Sequence, residues 1–565
     1  MTPIESPLHP VHEGPVPLVL VLDSGRDQSS AAPYYLELLA HAGLPYRCVP
    51  AAALAQPDTL QARVLLLPHL RLMEQEREGV RRLVAAGAGA IGLGGTSGLD
   101  DLFGVRSTAV LREGFAAGAP PEHVITAGLR SSLHFFGARP AYTLRARTLL
   151  AARDERATSG ALALLTETRH GRGLAIFCGV DLAHTVLEIQ LGRPIYHDGP
   201  PAPDGTAPID DGILKTDDGT VLHYEHDRIT GPDNRFFGEP IADEWRAVLL
   251  KAIFYTCRSL PEPVSLPMLW YWPDGLDAIG HLSHDSDGNQ VEHAWELLAR
   301  VAELGISSTW CCMLDGYPPE VYEGIKRYGS EIALHYDART GTPRTTWSEE
   351  NFRAQLAWLK ERSSTPDIVT NKNHYLRWEG RLDFFAWCER AGIQAEQSKG
   401  PSKSGNVGFI YGGCHPWVPF DAGDGRFLSV LEVNLFTQDL VLTTPYSVGP
   451  HLVDRTRAHY GVAHFLFHPA HVFKPGIAQA MQDVVRYAQH QGMPWWTCRQ
   501  LNAWERARRG VRFLYTQDGG YTLDASDPLA RATVLELGGE DVVRYGFGFH
   551  SRVVDLEAGS TVQVG

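Results

Sequence analysis

Carboxylate and imidazole side chains cluster where apolar segments of this chain end. The apolar segment 277–283 runs through His284 into Asp285-Ser286-Asp287, which puts two carboxylates beside a histidine. Carboxylates crowd in this way when a cation or a shared proton relieves their repulsion. A bound metal ion is the simpler of these two explanations, although Asp-rich turns without a site are also common.

Three later apolar segments also end in histidine. They supply His335, His374 and His468. If the four segments are strands of one βα barrel, their carboxyl ends meet at a single mouth, together with Asp285 and Asp287. A single buried histidine is usually structural, whereas four strand ends of this type favour a shared site.

The middle of the chain has the sequence pattern of such a barrel. Apolar strands alternate with amphipathic helices, one of which carries Val291, Trp295 and Leu298 at positions i, i+4 and i+7 and ends at Gly305. About seven strand–helix units in this part predict an irregular (β/α)7 barrel. The strands are predicted near 277–283, 308–314, 331–335, 367–371, 392–397, 408–412 and 463–467.

The remaining parts of the chain have different patterns. Short apolar strands and Gly-terminated helices between residues 16 and 104 predict a parallel, flavodoxin-like α/β sheet. A Pro/Gly/Asp-rich stretch follows, and the last residues alternate between polar and apolar in the manner of strands. The predicted units are an α/β domain at 1–191, a linker and connecting helix at 192–262, the barrel at 263–509 and a small all-β appendage at 510–565.

Composition restricts the possible partners and the cellular location. The net charge is −15 and no run of Lys or Arg is present, which argues against nucleic acid as a partner. The eight cysteines are scattered and form no CxxC pair, so we interpret them as reduced core residues. The sequence contains neither a signal peptide nor an apolar stretch of about 18 residues, so it predicts a cytoplasmic protein without a membrane partner.

Residues 266–507 resemble the polysaccharide deacetylases of the NodB-homology type, carbohydrate esterase family four. The motifs occur in the order of that family. They are Asp285 and Asp287 where the family has TFDDG, Glu331-Ile332 before His335, the segment Asn373-His374-Tyr375-Leu376-Arg377-Trp378, and Leu466-Phe467-His468. The resemblance implies the irregular barrel fold and a metal-dependent hydrolase.

Two departures from the family pattern affect the metal ligands. Ser286 separates the two aspartates, and Arg339 occupies the usual place of the second histidine. We therefore take His374 as the replacement, which predicts that Asp287, His335 and His374 bind a divalent metal. Such a mixed nitrogen and oxygen set with an open position suits Zn²⁺ best, although other divalent first-row metals also fit.

The resemblance also implies roles for the other groups. Asp285 would act as the general base toward water, and His468 as the general acid toward the leaving amine, in the removal of N-acetyl or O-acetyl groups from a carbohydrate. Aromatic faces can stack on sugar rings, but large aromatic side chains serve equally often as core. The predicted substrate-binding residues are Tyr375, Arg377, Trp378, His415, Trp417 and Glu396.

The first α/β region resembles class I glutamine-amidotransferase-like domains. Active members of that class carry a nucleophilic cysteine after the third strand, and here the corresponding turn, 94–98, contains none. We therefore expect a non-catalytic domain that serves docking, substrate framing or homo-oligomer formation.

Two other functions remain open from the sequence. One is hydrolysis of a non-sugar amide or a cyclic ureide, because the altered motifs set this chain apart from the best-known polysaccharide enzymes. The other is a catalytically inactive protein that binds carbohydrate at the barrel mouth. A separation above about 6 Å between Asp287 and His335 would favour the second, because ligand bonds near 2 Å could not then meet on one ion.

Overall fold

The computed structural model gives the chain a mixed α/β fold with two main sheets. The residues it describes are 8–119, 122–129, 132–153, 162–199, 202–205, 212–338, 346–403 and 405–563. Within these ranges, no helix combines the length and the apolar character needed to cross a membrane.

An eleven-stranded sheet organises the first part of the chain. Its strands are β1 (Leu18–Val21), β2 (Arg47–Val49), β3 (Val64–Pro68), β4 (Gly89–Leu93), β5 (Val105–Ser107), β6 (Leu111–Gly118), β7 (Leu133–Ala138), β8 (Ala141–Thr143), β9 (Arg147–Ala152), β10 (Ala163–His170) and β11 (Gly173–Cys178). The α-helices of this part are α1 (Tyr34–His41), α2 (Pro57–Leu60), α3 (Glu74–Ala85), α4 (Asp100–Phe103) and α5 (Leu182–Leu191). The strands β2, β1, β3, β4 and β11 run parallel in that order, as in flavodoxin-like sheets, and antiparallel strands extend the sheet beyond β11.

Both faces of this sheet are buried. Side chains alternate along β1, so Val19 and Val21 join one apolar core while Leu18 and Leu20 join another. Helix α3 contributes to the first core, and helices α1 and α5 contribute to the second. Burial on two faces explains why the central parallel strands β1, β3, β4 and β11 carry no charged residue and are fully buried.

The predicted connecting helix packs onto the same sheet. Helix α6 (Ile241–Ser259) follows the short pair β12 (Ile229–Thr230) and β13 (Arg235–Phe236). A Cβ atom on Gly89 of β4 would lie 2.2 Å from Thr256 Cγ2, so a glycine is needed for this close approach. The Trp245 indole N–H of α6 also donates a 2.8 Å hydrogen bond to the carbonyl oxygen of His134.

A curled sheet of eight parallel strands follows. After β14 (Pro267–Leu269), the chain forms β15 (Ile279–Asp285), β16 (Thr309–Cys312), β17 (Glu331–Tyr336), β18 (Thr370–Asn373), β19 (Ala395–Glu396), the hairpin β20 (Phe420–Asp421) and β21 (Arg426–Phe427), β22 (Leu431–Glu432), β23 (Thr437–Gln438) and β24 (Val462–Leu466). The order in the sheet is β22-β19-β18-β17-β16-β15-β24-β23. The surrounding helices are α7 (Val291–Glu303), α8 (Pro319–Arg327), α9 (Glu349–Arg362), α10 (Asp383–Ala391), α11 (Val448–Ala458), α12 (Ile477–His490) and α13 (Cys498–Arg509).

The sequence predicts seven strands for this sheet, but the sheet has eight, and one of the seven predicted positions is wrong. The predicted strand at 408–412 is irregular, with positive φ angles at Gly408 and Gly412. The segment 431–438 supplies two strands instead, since β22 pairs with β19 and β23 pairs with β24 at the other edge of the sheet. These strands have two residues each and no helix between them, so they leave no helix–strand periodicity in the sequence.

The last part of the chain forms five β-strands, and these strands are joined to other parts of the molecule. Its strands are β25 (Arg512–Tyr515), β26 (Tyr521–Asp524), β27 (Leu529–Arg544), β28 (Phe547–Leu556) and β29 (Thr561–Gln563). Strand β27 pairs with β14, and the ring of Phe549 packs 5.4 Å from that of Phe254 in α6. Strands β27 and β28 therefore form a separate sheet with β14, the strand that precedes β15, and also pack against α6.

Candidate active site

The predicted metal ligands and catalytic residues meet at one rim of the curled sheet. Asp285 is the last residue of β15, His335 lies in β17, and His374 directly follows β18. His468 lies two residues beyond the end of β24, and β24 pairs with β15 on the side opposite β16. The strands are parallel, so their carboxyl ends bring these side chains to the same edge, as the sequence pattern predicts.

Asp287 lies at the centre of this group. Its Oδ1 is 3.3 Å from His335 Nε2, and its Oδ2 is 3.6 Å from His374 Nε2 and 3.9 Å from His468 Nε2. One ligand atom from each of Asp287, His335 and His374 lies within 4.8 Å of the others. Tetrahedral zinc ligands at bond lengths near 2 Å are roughly 3.3 Å apart, so these three side chains fit a divalent ion. Arg339 lies outside the described residues.

Hydrogen bonds fix which nitrogen of each histidine faces Asp287. His335 Nδ1 is 3.0 Å from the carbonyl oxygen of Lys372, and His374 Nδ1 is 2.9 Å from Asp337 Oδ1. Both oxygens accept, so both Nδ1 atoms carry the proton, and in the neutral rings each Nε2 presents a lone pair to the Asp287 carboxylate. Histidines that bind metal ions are held in this way by carboxylates and backbone carbonyls.

The two polar atoms that meet between Asp287 and His335 lack hydrogen-bond partners in the part of the chain that the structure describes. Asp287 Oδ1 and His335 Nε2 are buried, and neither has a hydrogen-bond partner among the described residues. Two acceptors that face each other at 3.3 Å need a cation between them. A proton or a metal ion meets that need.

The electrostatics of the group are consistent with a cation. Burial raises the pKa of Asp287, but the neighbouring imidazoles of His335 and His374 outweigh it and hold the pKa well below its usual range. Burial lowers the pKa of His374, but the neighbouring carboxylates of Asp287 and Asp337 raise it to about 9. The carboxylates therefore favour positive charge at this position.

Asp285 has a buried lysine beside it that the sequence analysis missed. Lys372 Nζ is 3.5 Å from Asp285 Oδ1 and 2.5 Å from Ser283 Oγ, and the lysine side chain is completely buried. Asp285 Oδ2 lies 3.8 Å from His335 Nε2, so the carboxylate borders the candidate metal position. A lysine within an otherwise buried strand was the available sequence signal, because buried lysines need an anionic partner.

His468 is held by a carboxylate that the sequence analysis also missed. Asp439 Oδ1 accepts the His468 backbone N–H at 2.9 Å, while its Oδ2 is 2.5 Å from His468 Nδ1 and 2.8 Å from His471 Nδ1. Burial lowers the pKa of His468, but Asp439 outweighs it and raises the pKa to about 9. Asp439 follows the two-residue strand β23, so no pattern marks it in the sequence.

Of the predicted substrate-binding residues, Tyr375 is the most accessible. Its side chain is 42% exposed, and its ring centroid is 4.3 Å from that of His374. Arg377 is buried, with its guanidinium paired with Glu379 and 5.6 Å from the ring of Trp347.

The two predicted stacking tryptophans belong to the core. Trp378 and Trp417 are fully buried, so they offer no face on which a sugar could stack. Lys399 Nζ lies 4.3 Å from the Trp378 ring, and the Trp417 indole N–H donates to Asn434 Oδ1 at 3.0 Å. The alternative of core packing therefore applies to both side chains.

Glu396 and His415 are engaged elsewhere. Glu396 is fully buried and accepts hydrogen bonds from Asn371 Nδ2 at 3.0 Å and from the Ser398 backbone N–H at 2.9 Å. His415 follows Cys414, whose carbonyl oxygen accepts from the N–H of Val462, the first residue of β24. His415 thus lies at the amino end of β24, opposite the rim that carries His468, and its assignment to the mouth is wrong.

Comparisons with known proteins give only distant similarity. No family model and no curated protein sequence matches the chain. A protein of Mycobacterium smegmatis described as a polysaccharide deacetylase is 17% identical, covers 43% of this chain and 94% of its own, and has a TM-score of 0.32. Puue allantoinase is 12% identical, covers 41% of this chain and 91% of its own, and also has a TM-score of 0.32. A Bordetella bronchiseptica protein described as a polysaccharide deacetylase of o-antigen biosynthesis is 15% identical, covers 38% of this chain and 86% of its own, and has a TM-score of 0.25. These values assign the chain to no family.

Proposed function

We propose that the rim around Asp287 is the active site of a metal-dependent hydrolase that cleaves a C–N bond of an acylated substrate, or the C–O bond where the acyl group is an O-acetyl ester. The observation that carries this proposal is the buried contact between Asp287 Oδ1 and His335 Nε2, in which neither atom has a hydrogen-bond partner among the described residues. Their 3.3 Å separation is well below the distance that would favour an inactive binding protein. Two imidazoles and one carboxylate are a common catalytic zinc set.

Asp287, His335 and His374 would hold the metal ion, with Zn²⁺ as the preferred occupant. A bound ion of this type polarises a carbonyl group and lowers the pKa of water. Asp285 would take a proton from the attacking water, with the Lys372 ammonium 3.5 Å away as its counter-charge. His468 would give a proton from Nε2 to the leaving amine, because Asp439 holds its Nδ1 and so orients the ring.

The substrate that we propose first is an N-acetylated or O-acetylated carbohydrate. The support comes from the order of motifs in the sequence, from Asp285 to His468. Tyr375 offers an exposed aromatic ring beside His374, on which a sugar ring could stack.

A non-sugar amide or a cyclic ureide is the second candidate substrate. The burial of Trp378 and Trp417 favours it, because both side chains that were expected to stack on sugars are lost as contacts. Hydrolysis of a small planar amide would need only the three metal ligands together with Asp285 as base and His468 as acid.

Product analysis separates these two substrates. The zinc-loaded protein is incubated with acetylated sugars, peptidoglycan fragments and small cyclic amides, and released acetate and ring-opened products are measured. We expect Asp285→Asn to reduce turnover of the accepted substrate by about 10²–10⁴-fold. Asp421→Asn, at the end of β20 and outside the rim, is the matched control and should leave turnover unchanged. Equal turnover by Asp285→Asn and the parent protein would contradict the proposed role.

A further inference from the structure

A second group of ligand-type side chains lies at the opposite end of the curled sheet. Asp243 of α6 lies beside Cys414 and His415, and one ligand atom from each lies within 4.8 Å of the others. All three residues are buried. The proposed active site uses none of them, so the group needs its own explanation.

The ring of His415 is oriented as a metal ligand would be. Its Nε2 is 2.6 Å from the carbonyl oxygen of His459, so this nitrogen carries a proton and donates it. The lone pair is then on Nδ1, which is buried and has no hydrogen-bond partner in the described part of the chain. A backbone carbonyl that fixes the tautomer of the ring is a common support for a metal-binding histidine.

A second histidine with the same property lies against the first. His41, the last residue of α1, has its ring centroid 4.5 Å from that of His415 at an interplanar angle of 76°. Its Nε2 is buried and likewise lacks a hydrogen-bond partner within the described ranges. A nitrogen donor from a third chain segment therefore lies beside His415, outside the set of three atoms that are within 4.8 Å of one another.

The Asp243 carboxylate is held in position. Its Oδ1 accepts from Arg246 Nη1 at 3.1 Å, and its Oδ2 accepts the Cys414 backbone N–H at 2.6 Å. A carboxylate oxygen has two lone pairs, so these bonds leave acceptor capacity for a cation.

The surrounding charges accommodate a dication and a thiolate. Buried ion pairs around the group contain one more carboxylate than guanidinium groups, so a thiolate and a dication together would bring it to neutrality. These residues are Arg246, Arg455, Arg508 and Arg509, paired with Glu37, Glu239, Asp243, Glu244 and Glu505.

We propose that Asp243, Cys414 and His415 hold a structural divalent metal ion, with His41 as the fourth ligand. Sulfur, nitrogen and oxygen donors in a closed, buried set are typical of structural zinc. The ion would join α1, α6 and the segment between β19 and β20 that carries Cys414 and His415. The ligands come from separate parts of the sequence, so the ion would stabilise the junction between the two main sheets.

Cobalt substitution tests the proposal, because, of the two metal sites that we propose, this one has a cysteine ligand and the active site does not. After exchange of the bound metal for Co²⁺, we expect a near-ultraviolet thiolate-to-cobalt charge-transfer band in the full-length protein. Cys414→Ser should abolish the band and lower the bound metal by one equivalent. Cys498→Ser, a variant at another fully buried cysteine, is the matched control and should retain both.

The Asp287→Ala variant separates this site from the proposed active site. It should keep the charge-transfer band and lose only the other equivalent of metal. If the active-site proposal fails, the native protein should still bind one equivalent and show the band. A cobalt-loaded native protein without the band, or a band that persists in Cys414→Ser, would overturn the proposal. The first of these outcomes is measured on the native protein, so it does not depend on whether a variant folds.

Discussion

Replacement of Asp337 tests whether His374 is a metal ligand. The Asp337 carboxylate accepts the His374 Nδ1 proton at 2.9 Å and is almost completely buried, so water does not screen the charge. Loss of a carboxylate that supports a metal-binding histidine typically weakens metal affinity about 10–100-fold, or roughly 1.4–2.7 kcal/mol. Asparagine can still accept the proton without the charge, so we expect Asp337→Asn near the lower limit and Asp337→Ala near the upper limit.

Competition with a chromophoric zinc chelator measures the affinity directly. Both Asp337 variants should fold, because the backbone N–H and carbonyl of Asp337, not its carboxylate, bond the Gln355 side chain at 2.9 and 2.7 Å. Asp367→Asn removes an exposed carboxylate that pairs with Arg499 and should leave the affinity unchanged. Parental zinc affinity in both Asp337 variants would refute the assignment of His374 as a ligand held by Asp337.

Three further predictions concern the metal ligands, the proton donor and a buried ion pair outside the candidate site. Asp287→Ala and His335→Ala should each abolish retention of the active-site metal ion, measured by elemental analysis as one equivalent fewer than in the parent protein, because each removes one of three protein ligands. His468→Ala should slow hydrolysis by about 10²–10⁴-fold while the bound metal remains, since it removes only the proton donor. Arg509→Ala should lower the free energy of unfolding, measured with denaturant, by about 3–5 kcal/mol. The physical reason is that the buried Glu37 carboxylate, 2.6 Å from Arg509, loses its guanidinium partner.

Matched variants serve as controls for these measurements. Asp439→Asn should keep the metal and lose activity, because Asp439 orients His468 and lies outside the ligand set. Arg426→Ala removes a half-exposed ion pair with Glu389 and should change the free energy of unfolding by less than about 1 kcal/mol. Unchanged metal content in Asp287→Ala relative to the parent protein, full turnover in His468→Ala, or equal losses of stability for the two arginine variants would each contradict the corresponding assignment.

The sequence contained most of the information on where the candidate ligands lie. A buried strand is apolar along its length, so polar residues at its end are conspicuous, as at Asp285 and His335. The parallel order of strands follows from strand–helix alternation, and it places these ends at one edge. The exceptions are the short strands β22 and β23, which carry too few residues to show any periodicity.

The partners of these residues depended on the tertiary structure. Asp439 and Lys372 lie 29 and 87 positions from His468 and Asp285, and their contacts follow from how distant strands pack. Packing also decided between the two interpretations of Trp378, because a large flat side chain fills a core as well as it binds a sugar.

His415 illustrates the same division. The sequence around His415, including Cys414 and Trp417, does not indicate which end of the curled sheet the histidine occupies. The structure places it at the amino end of β24. Local sequence thus determined the strands, the residues at their ends and the kind of chemistry that those residues allow. Only the tertiary structure decided which side chains meet, because contacts between distant segments depend on the packing of the whole chain.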